Sequence, residues 1–216
     1  MKHILCFGDS NTWGYDPVAT ATAPRSIRHA PDVRWTGILK RELGRDYTIL
    51  EEGQNGRTTV HDDPVEGVRN GRNYLIPCLE THQPLDLVVL MLGTNDLKTR
   101  FSLPPGDIAT GVGVLVQMIL QSKFGIAGAA PKILLIAPPA VGDLSHLPDL
   151  AEKFFHATEK SWRFPKLYRQ VATQFGCAFL NSQELVSVSA LDGLHLEAAE
   201  HEKLGRAIAE AVRKIV

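Results

Sequence analysis

Short apolar runs alternate with helical patterns along this sequence, and this alternation restricts the possible folds more than any other feature. Five runs have the length and composition of β-strands. Most of them are continuously apolar rather than alternating, as expected of strands that helices cover on both faces of a parallel sheet. The predicted strands span residues 3–7, 47–51, 86–92, 132–137 and 177–180.

Helical patterns lie between the predicted strands and after the last one; most are amphipathic, and that over residues 108–120 is apolar on most sides. They cover residues 33–43, 74–82, 108–120, 162–175 and 197–215. Strands that alternate with helices predict an α/β fold, here a three-layer, flavodoxin-like doubly wound sheet of about five parallel strands. The length of 216 residues fits a single domain, residues 1–216. Two long segments, residues 16–32 and 138–161, fall outside the repeating unit and are expected to shape a pocket.

Charge and cysteine content narrow the class of partner. The 23 Lys and Arg residues nearly balance the 24 Asp and Glu residues, whereas a nucleic-acid-binding surface needs clustered cations. The longest apolar run in the middle of the chain, residues 87–92, is far shorter than the roughly 18 residues of a membrane span. The three cysteines have no C-x-x-C spacing and read as reduced thiols. We therefore expect a cytoplasmic protein that binds neither nucleic acid nor membrane.

Polar segments that contain glycine follow four of the five predicted strands. Residues 8–11, 53–57 and 93–96 come directly after the first three strands, and residues 192–195 follow the fifth. The carboxyl ends of parallel strands lie at one edge of a sheet, where the ligands of open α/β folds bind. The sequence therefore predicts that these four segments meet at one site.

The residues in those segments suit acyl transfer. A serine nucleophile needs a base, the base needs an acceptor that fixes its tautomer, and the oxyanion needs preorganised donors. Ser10, His195 and Asp192 can supply the nucleophile, the base and the acceptor. The backbone N–H groups of Ser10 and Gly56 and the side-chain amide of Asn95 can form the oxyanion hole, because glycine lets its amide approach closely. This chemistry calls for no metal and no cofactor.

The same segments resemble the four conserved blocks of the SGNH, or GDSL, hydrolase family. The matching segments are, in order, residues 7–12 (FGDSNT), Gly56, residues 93–96 (GTND) and residues 192–195 (DGLH). The resemblance covers nearly the whole chain and implies Ser10 as nucleophile, Gly56 and Asn95 as oxyanion donors, and an Asp192–His195 pair. Asn11 departs from the leucine of the name-giving motif, at a position without a catalytic role.

Further segments resemble the bacterial arylesterase and acyltransferase branch of that family. They are residues 11–15 (NTWGY), 51–53 (EEG), 57–59 (RTT) and 91–96 (MLGTND). Beside the predicted nucleophile, Trp13 is expected to line the substrate pocket together with Asp9. Arg57 is expected to be structural. The other histidines are expected at the surface, among them His61, His82 and His201.

The expected substrates are small esters with a short-chain or aryl group, cleaved through an acyl-enzyme on Ser10. A narrow, poorly hydrated channel would favour acyl transfer to an alcohol or to peroxide over hydrolysis. Its expected lining is Trp13, Phe101, Leu103 and the apolar side chains of residues 144–155. Exposed apolar side chains in residues 138–161 also predict a subunit interface and hence a homo-oligomer, as the resemblance implies.

Other classes of protein fit part of the pattern. A metal-dependent phosphoesterase could use Asp9, Asn95 and His195, but a two-metal site needs more histidines and carboxylates than these segments offer. A non-catalytic binding module on a flavodoxin-like scaffold is allowed because fold does not fix function, yet it gives no reason for Ser, Asn, Asp and His to occur together. An α/β-hydrolase is disfavoured because no G-x-S-x-G elbow surrounds Ser10.

Overall fold

The computed structural model describes all residues of the chain, 1–216. Its strands are β1 (Lys2–Gly8), β2 (Tyr47–Gly53), β3 (Leu87–Met91), β4 (Lys132–Ala137) and β5 (Ala178–Asn181). Its helices are α1 (Ser10–Trp13), α2 (Pro17–Thr20), α3 (Trp35–Leu43), α4 (Gly71–His82), α5 (Pro105–Gln121), α6 (Pro148–Lys153), α7 (Ala157–Ser161), α8 (Phe164–Phe175) and α9 (Ala198–Ile215). None of the helices combines the length and the apolar character that a membrane crossing requires.

The five strands form one parallel sheet in the order β2-β1-β3-β4-β5. This is the flavodoxin-like order, in which the winding reverses between β1 and β3 and opens a crevice outside their carboxyl ends. Gly8 at the end of β1 pairs in register with Gly53 of β2 and Met91 of β3. Because these three strand ends are level, the loops that follow them leave the sheet side by side.

Side chains of β1 alternate between two hydrophobic cores. Leu5 and Phe7 join the core under α4, α5 and α8, whereas Ile4 and Cys6 join the core under α3 and α9. All four side chains are fully buried. Helices on both sides of the sheet explain why most strands have continuous apolar runs rather than an alternating pattern. The predicted three-layer α/β fold is therefore confirmed.

Helix bounds differ from prediction where caps, rather than apolar spacing, decide them. The helix predicted over residues 74–82 begins earlier, at Gly71, because the Asn70 side chain accepts a hydrogen bond from a backbone N–H of the first turn. The helix predicted over residues 108–120 begins at Pro105, since proline fits the first position of a helix. Apolar periodicity detects neither cap.

The segment 138–161 is more ordered than predicted, since it contains α6 and α7. Its residues Leu144 and Phe154 are buried in the core shared with α5 and α8. The expectation that these apolar side chains are exposed was wrong, because they already have partners within the chain. Phe155 alone among the five apolar side chains of residues 144–155 is mostly exposed, at 55%. A homo-oligomer stays a prediction that rests on the resemblance.

Candidate active site

Ser10 begins α1 at the carboxyl end of β1. The chain turns there from strand to helix with Asp9 as the N-cap, whose carboxylate accepts the N–H of Asn11 at 3.0 Å. Gly8 permits this turn, because a Cβ at that position would lie 2.1 Å from Oγ1 of Thr12. The Ser10 hydroxyl is thereby held at the sheet edge.

His195 links Ser10 to Asp192. Its Nε2 lies 2.8 Å from Ser10 Oγ and its Nδ1 lies 2.7 Å from Asp192 Oδ2. Asp192 Oδ1 also accepts the N–H groups of Leu194 and His195, at 2.9 and 3.0 Å. Burial alone would raise the pKa of Asp192, but the hydrogen bonds and charge of His195 hold that pKa below its ordinary value. The ionised carboxylate favours a proton on Nδ1, which leaves Nε2 to accept from Ser10.

Gly56 and Asn95 share one cavity with Ser10 and His195. Gly56 has a φ of +78°, a left-handed conformation that glycine adopts without strain. Asn95 begins a 3₁₀ turn after β3, and its side-chain amide donates to the carbonyl of Arg57 at 3.2 Å. Groups from loops after three different strands thus border the space beside the Ser10 hydroxyl.

The cavity has a volume of about 260 Å³ and one charged wall. In that wall, Lys98 Nζ lies 3.0 Å and Lys153 Nζ 2.8 Å from Glu66 Oε1. Lys98 is almost fully buried and also pairs with Asp63 at 3.3 Å. The remaining lining is Ser10, Tyr15, Ser26, Asn55, Gly56, Thr94, Asn95, Leu150, Phe154, Leu194 and His195.

Tyr15 covers one face of the His195 ring. The two ring centroids are 3.9 Å apart and the planes differ by 21°, so the rings are stacked. Sequence reasoning assigned Tyr15 no role, because an aromatic residue in a loop belongs to no helical or strand period. The one signal was its place in the NTWGY segment that begins directly after Ser10.

The chain resembles known proteins over nearly its whole length. A model of the GDSL-like lipase/acylhydrolase family matches residues 6–203. The chain belongs to this family. The native M. smegmatis aryl esterase is 42% identical with a TM-score of 0.94, and Est24, a carbohydrate acetylesterase from Sinorhizobium meliloti, is 39% identical with a TM-score of 0.94; each alignment covers 100% of both chains. The comparison with curated proteins found no match.

A more distant structure shares the fold of this GDSL-like hydrolase. The lipase/acylhydrolase from Enterococcus faecalis is 20% identical over 99% of this chain and 96% of its own, with a TM-score of 0.68. Family membership makes the protein a hydrolase of the esterase and acylhydrolase class.

Two residues expected in the substrate pocket of the hydrolase lie outside the cavity lining. Trp13 packs beneath Arg28, whose guanidinium carbon is 5.3 Å from the indole centroid. Asp9 is buried and caps α1 with its carboxylate. Because Asp9 caps α1 and Trp13 packs against Arg28, a place for either side chain in the substrate pocket stays a prediction.

Arg57 joins the ends of two strands. Its Nη1 donates to the carbonyls of Gly8 and Glu52. Its guanidinium carbon lies 4.3 Å from the ring centroid of Phe7 and 5.2 Å from that of Tyr74. Burial lowers the pKa of this guanidinium. These contacts are structural and none of them opens on the cavity.

His201 is fully buried, contrary to the surface position expected of it. Its Nδ1 accepts the N–H of Trp35 at 3.2 Å, and its ring meets that of His29 edge-on at 5.0 Å. Burial lowers the pKa of His201 to about 3. The error arose because a polar side chain can enter a core when a backbone group pairs with it, which periodicity does not reveal. Of the other histidines expected at the surface, His29 is also buried, whereas His61 and His82 are partly exposed.

Glu52, Cys78 and His82 could in principle hold a metal, since their ligand atoms lie within 4.8 Å of one another. They stand between β2 and α4, and none of them lines the cavity beside Ser10. The Arg57 guanidinium donates to the Glu52 carbonyl, and its charge opposes a second cation there. Glu52 and His82 instead pair with each other at 2.7 Å. This group does not form the two-metal centre of a phosphoesterase.

Proposed function

We propose that this hydrolase is a serine esterase that cleaves small short-chain or aryl carboxylic esters through an acyl-enzyme on Ser10. The observation that carries the proposal is the unbroken line of hydrogen bonds from Asp192 through His195 to Ser10, at 2.7 and 2.8 Å. That line ends at the cavity, where an ester carbonyl can reach the serine oxygen. Membership in a family of lipases and acylhydrolases supports the same chemistry.

In the proposed reaction, Ser10 Oγ attacks the carbonyl carbon while His195 Nε2 takes the hydroxyl proton. The N–H groups of Ser10 and Gly56 and the amide of Asn95 donate to the oxyanion. The tetrahedral intermediate collapses, the ester C–O bond breaks, and the imidazolium gives its proton to the departing alcohol. Water then attacks the acyl-enzyme with the same base, which releases the acid and restores the Ser10 hydroxyl.

The dimensions and polarity of the cavity support a short acyl group and a polar alcohol. A volume of about 260 Å³ lies below the roughly 300–1,000 Å³ of common ligand pockets. The wall of Glu66, Lys98 and Lys153 offers hydrogen-bond partners to hydroxyl groups, whereas an apolar group would desolvate these charges without replacing their hydrogen bonds. One similar structure is a carbohydrate acetylesterase. An acetylated carbohydrate is therefore our second candidate substrate, beside an aryl ester.

An acetylated monosaccharide and phenyl acetate distinguish the two substrate classes. Glu66→Gln should lower kcat/KM about tenfold for the sugar ester and less for phenyl acetate, because a charged acceptor for a sugar hydroxyl is lost. Glu159→Gln, on the exposed face of α7, is the matched control. Equal losses for both esters would remove Glu66 from recognition, and no turnover of the sugar ester would remove the second candidate.

Acyl transfer to an alcohol or to hydrogen peroxide is a finer proposal that rests on the resemblance to the acyltransferase branch. The apolar channel expected to favour it lacks three of its members, since Trp13, Phe101 and Leu103 lie outside the cavity lining. The measurement is the ratio of transfer product to free acid as the alcohol concentration rises. A ratio no higher than that expected from uncatalysed competition between alcohol and water would contradict acyl transfer, and hydrolysis would be the only activity.

Labelling by a fluorophosphonate tests the central proposal. Ser10→Ala should abolish labelling and lower hydrolysis of a short-chain aryl ester by several orders of magnitude, with thermal unfolding unchanged. Ser26→Ala is the matched control, because Ser26 borders the same cavity without a histidine partner. A folded Ser10→Ala protein with normal activity would contradict the proposal.

The same preparation addresses the alternatives from other classes. Activity that survives a strong chelator is expected here, and activity lost to the chelator and restored by added metal would favour a metal-dependent phosphoesterase. A protein that is never labelled and turns over no ester is the outcome expected of a non-catalytic binding module.

A further inference from the structure

Hydrogen bonds restrain the His195 ring within its own plane, but a separate contact is needed to stop the ring from tilting out of that plane. Its two nitrogens are engaged by Ser10 and Asp192 at 2.8 and 2.7 Å. Hydrogen bonds in the ring plane resist in-plane motion but not rocking about the line that joins the two nitrogens. Tyr15 stacks on one face at 3.9 Å, with a tilt of 21°. The stack therefore supplies the restraint that the hydrogen bonds leave out.

Backbone hydrogen bonds hold Tyr15 in place. Its N–H donates to the Ser10 carbonyl at 3.0 Å, so the aromatic residue is tied to the same turn as the serine. Tyr15 also forms an antiparallel bridge with Arg28. Next to it, the Asp16 N–H donates to the Ile27 carbonyl at 3.0 Å. The segment 16–32 thus folds back on itself and returns alongside Tyr15.

Side chains of Arg28 and His29 anchor the returning part of this segment. Arg28 donates from Nε to the Trp13 carbonyl at 2.5 Å and from Nη2 to Glu51 of β2 at 2.8 Å. His29 lies 3.2 Å from Asp16, at the start of the segment. These contacts hold both ends of the segment that carries Tyr15.

We propose that Tyr15 is a positioning residue for His195, and that the segment 16–32 exists in part to hold it there. The aromatic face keeps the imidazole aligned with Ser10 and stabilises the imidazolium that forms when the serine loses its proton. A cation within about 6 Å of an aromatic centroid is attracted by the ring quadrupole. Since the cation exists only after proton transfer, this attraction favours the transition state over the ground state. The inference rests on the proposed function of Ser10 and His195.

Several other charged groups surround His195 and belong to its electrostatic environment. The Asp192 carboxylate pairs with Nδ1, and the charge of His195 also acts on the buried Asp9, whose pKa burial raises to about 6. The charge of His195 acts on His201 as well, but burial lowers the pKa of His201 to about 3, so it is neutral near pH 7. Across the cavity stand Glu66, Lys98 and Lys153. Of these, Asp9 changes its own charge near pH 6, so its ionisation has to be separated from any effect of Tyr15 on the acid limb.

Two substitutions separate the aromatic face from the bulk of the side chain. Tyr15→Leu should lower kcat/KM for an aryl ester by about two- to thirtyfold, mainly through kcat, the range expected of a lost cation–π contact. Tyr15→Phe keeps the ring and should stay within about twofold of the unaltered enzyme. Tyr47→Leu makes the same change at the amino end of β2, opposite the site, and should leave activity unchanged.

The pH dependence of kcat/KM distinguishes the proposed role of Tyr15 from a merely structural role, which would leave the pH profile unchanged. Without the aromatic face the imidazolium is harder to form, so the acid limb should move to lower pH in Tyr15→Leu and stay in place in Tyr15→Phe. The comparison is repeated in an Asp9→Asn background, which removes the titrating neighbour while asparagine keeps the cap of α1. The shift should persist there.

The proposal is overturned if the acid limb of Tyr15→Leu stays or moves to higher pH, or if Tyr15→Phe loses as much activity as Tyr15→Leu. Fluorophosphonate labelling of Ser10 distinguishes this failure from failure of the proposed function. Ser10 labelled in every Tyr15 variant, with rates and limbs unchanged, removes only the role of Tyr15. Ser10 unlabelled in the unaltered protein removes the esterase mechanism itself.

Discussion

Adjacent residues in the turn after β1 have different tasks. Asp9 caps the helix, Ser10 presents its hydroxyl to His195, and Trp13 packs under Arg28. Tyr15, just beyond the helix, returns to cover the histidine. At the residue scale, the direction of each side chain, more than its distance along the chain, decides which group takes part in chemistry.

Asn95 provides the sharpest test at this scale. Its amide nitrogen carries two N–H groups; one donates to the Arg57 carbonyl, and the other is free for an oxyanion. Asn95→Ala should therefore keep Ser10 labelling but lower turnover by about a hundred- to a thousandfold, the usual effect of losing one oxyanion donor. Steady-state kinetics on an aryl ester measure the change.

Asn73→Ala is the control for Asn95, since Asn73 is exposed on α4 and its amide bonds only Asp62. Both variants should unfold at the temperature of the unaltered protein. Unchanged turnover in Asn95→Ala would mean that Asn95 is an ordinary loop residue.

At the scale of elements, α1 packs directly onto the carboxyl end of β2. A Cβ at Gly53 would lie 2.1 Å from the backbone nitrogen of Trp13 and 2.5 Å from its Cα. Backbone atoms cannot move aside as a flexible side chain can. The close approach of strand and helix therefore requires glycine at position 53, and it sets the height of Ser10 above the sheet.

Gly53→Ala should destabilise the protein by about 1–3 kcal/mol, as overpacking of a close contact does, and it should also lower esterase activity because α1 carries Ser10. Denaturant unfolding measures the first effect. Gly106→Ala is the matched control: it lies in α5 with open space around it, and the same substitution should be neutral or stabilise by up to about 1 kcal/mol. Equal effects at the two positions would rule out the packing argument.

At the scale of the whole molecule, the stability of the fold depends on the charge state of one buried carboxyl, that of Asp96. Asp96 is fully buried and accepts hydrogen bonds from the N–H and Oγ1 of Thr59. Burial raises the pKa of Asp96 to about 7, although those hydrogen bonds oppose the rise. In the unfolded chain an aspartate ionises near pH 4.

Between pH 4 and pH 7 the folded protein therefore keeps a proton that the unfolded chain has lost. The free energy of unfolding falls as pH rises through this window, by up to about 1.4 kcal/mol per pH unit from this group. Asp96→Asn removes the contribution, so the stability difference between variant and unaltered protein should shift in favour of the variant from pH 4 to pH 7. Denaturant unfolding at several pH values measures it, and a constant difference would contradict the buried, protonated carboxyl.

The sequence by itself determined the features that depend on periodicity and on the rule that ligands bind at the carboxyl ends of parallel strands. Continuous apolar runs fixed the strands because both faces of a parallel sheet are covered, and the polar segments after those strands pointed to Ser10, Asn95 and His195. These inferences need only local patterns and one topological rule. They were sufficient for the fold and for the neighbourhood of the site.

Only the tertiary structure decided which other side chains surround the candidate site. The stacking of Tyr15 on His195, the charged wall beside Ser10, the burial of His201 and the contact of Trp13 with Arg28 all depend on residues that are not adjacent in the chain. Loops have no period, and a helix of four residues such as α1 is too short to show one. Which distant side chains touch is fixed by packing, because close-packed interiors accept only particular shapes, and a linear pattern does not contain that information.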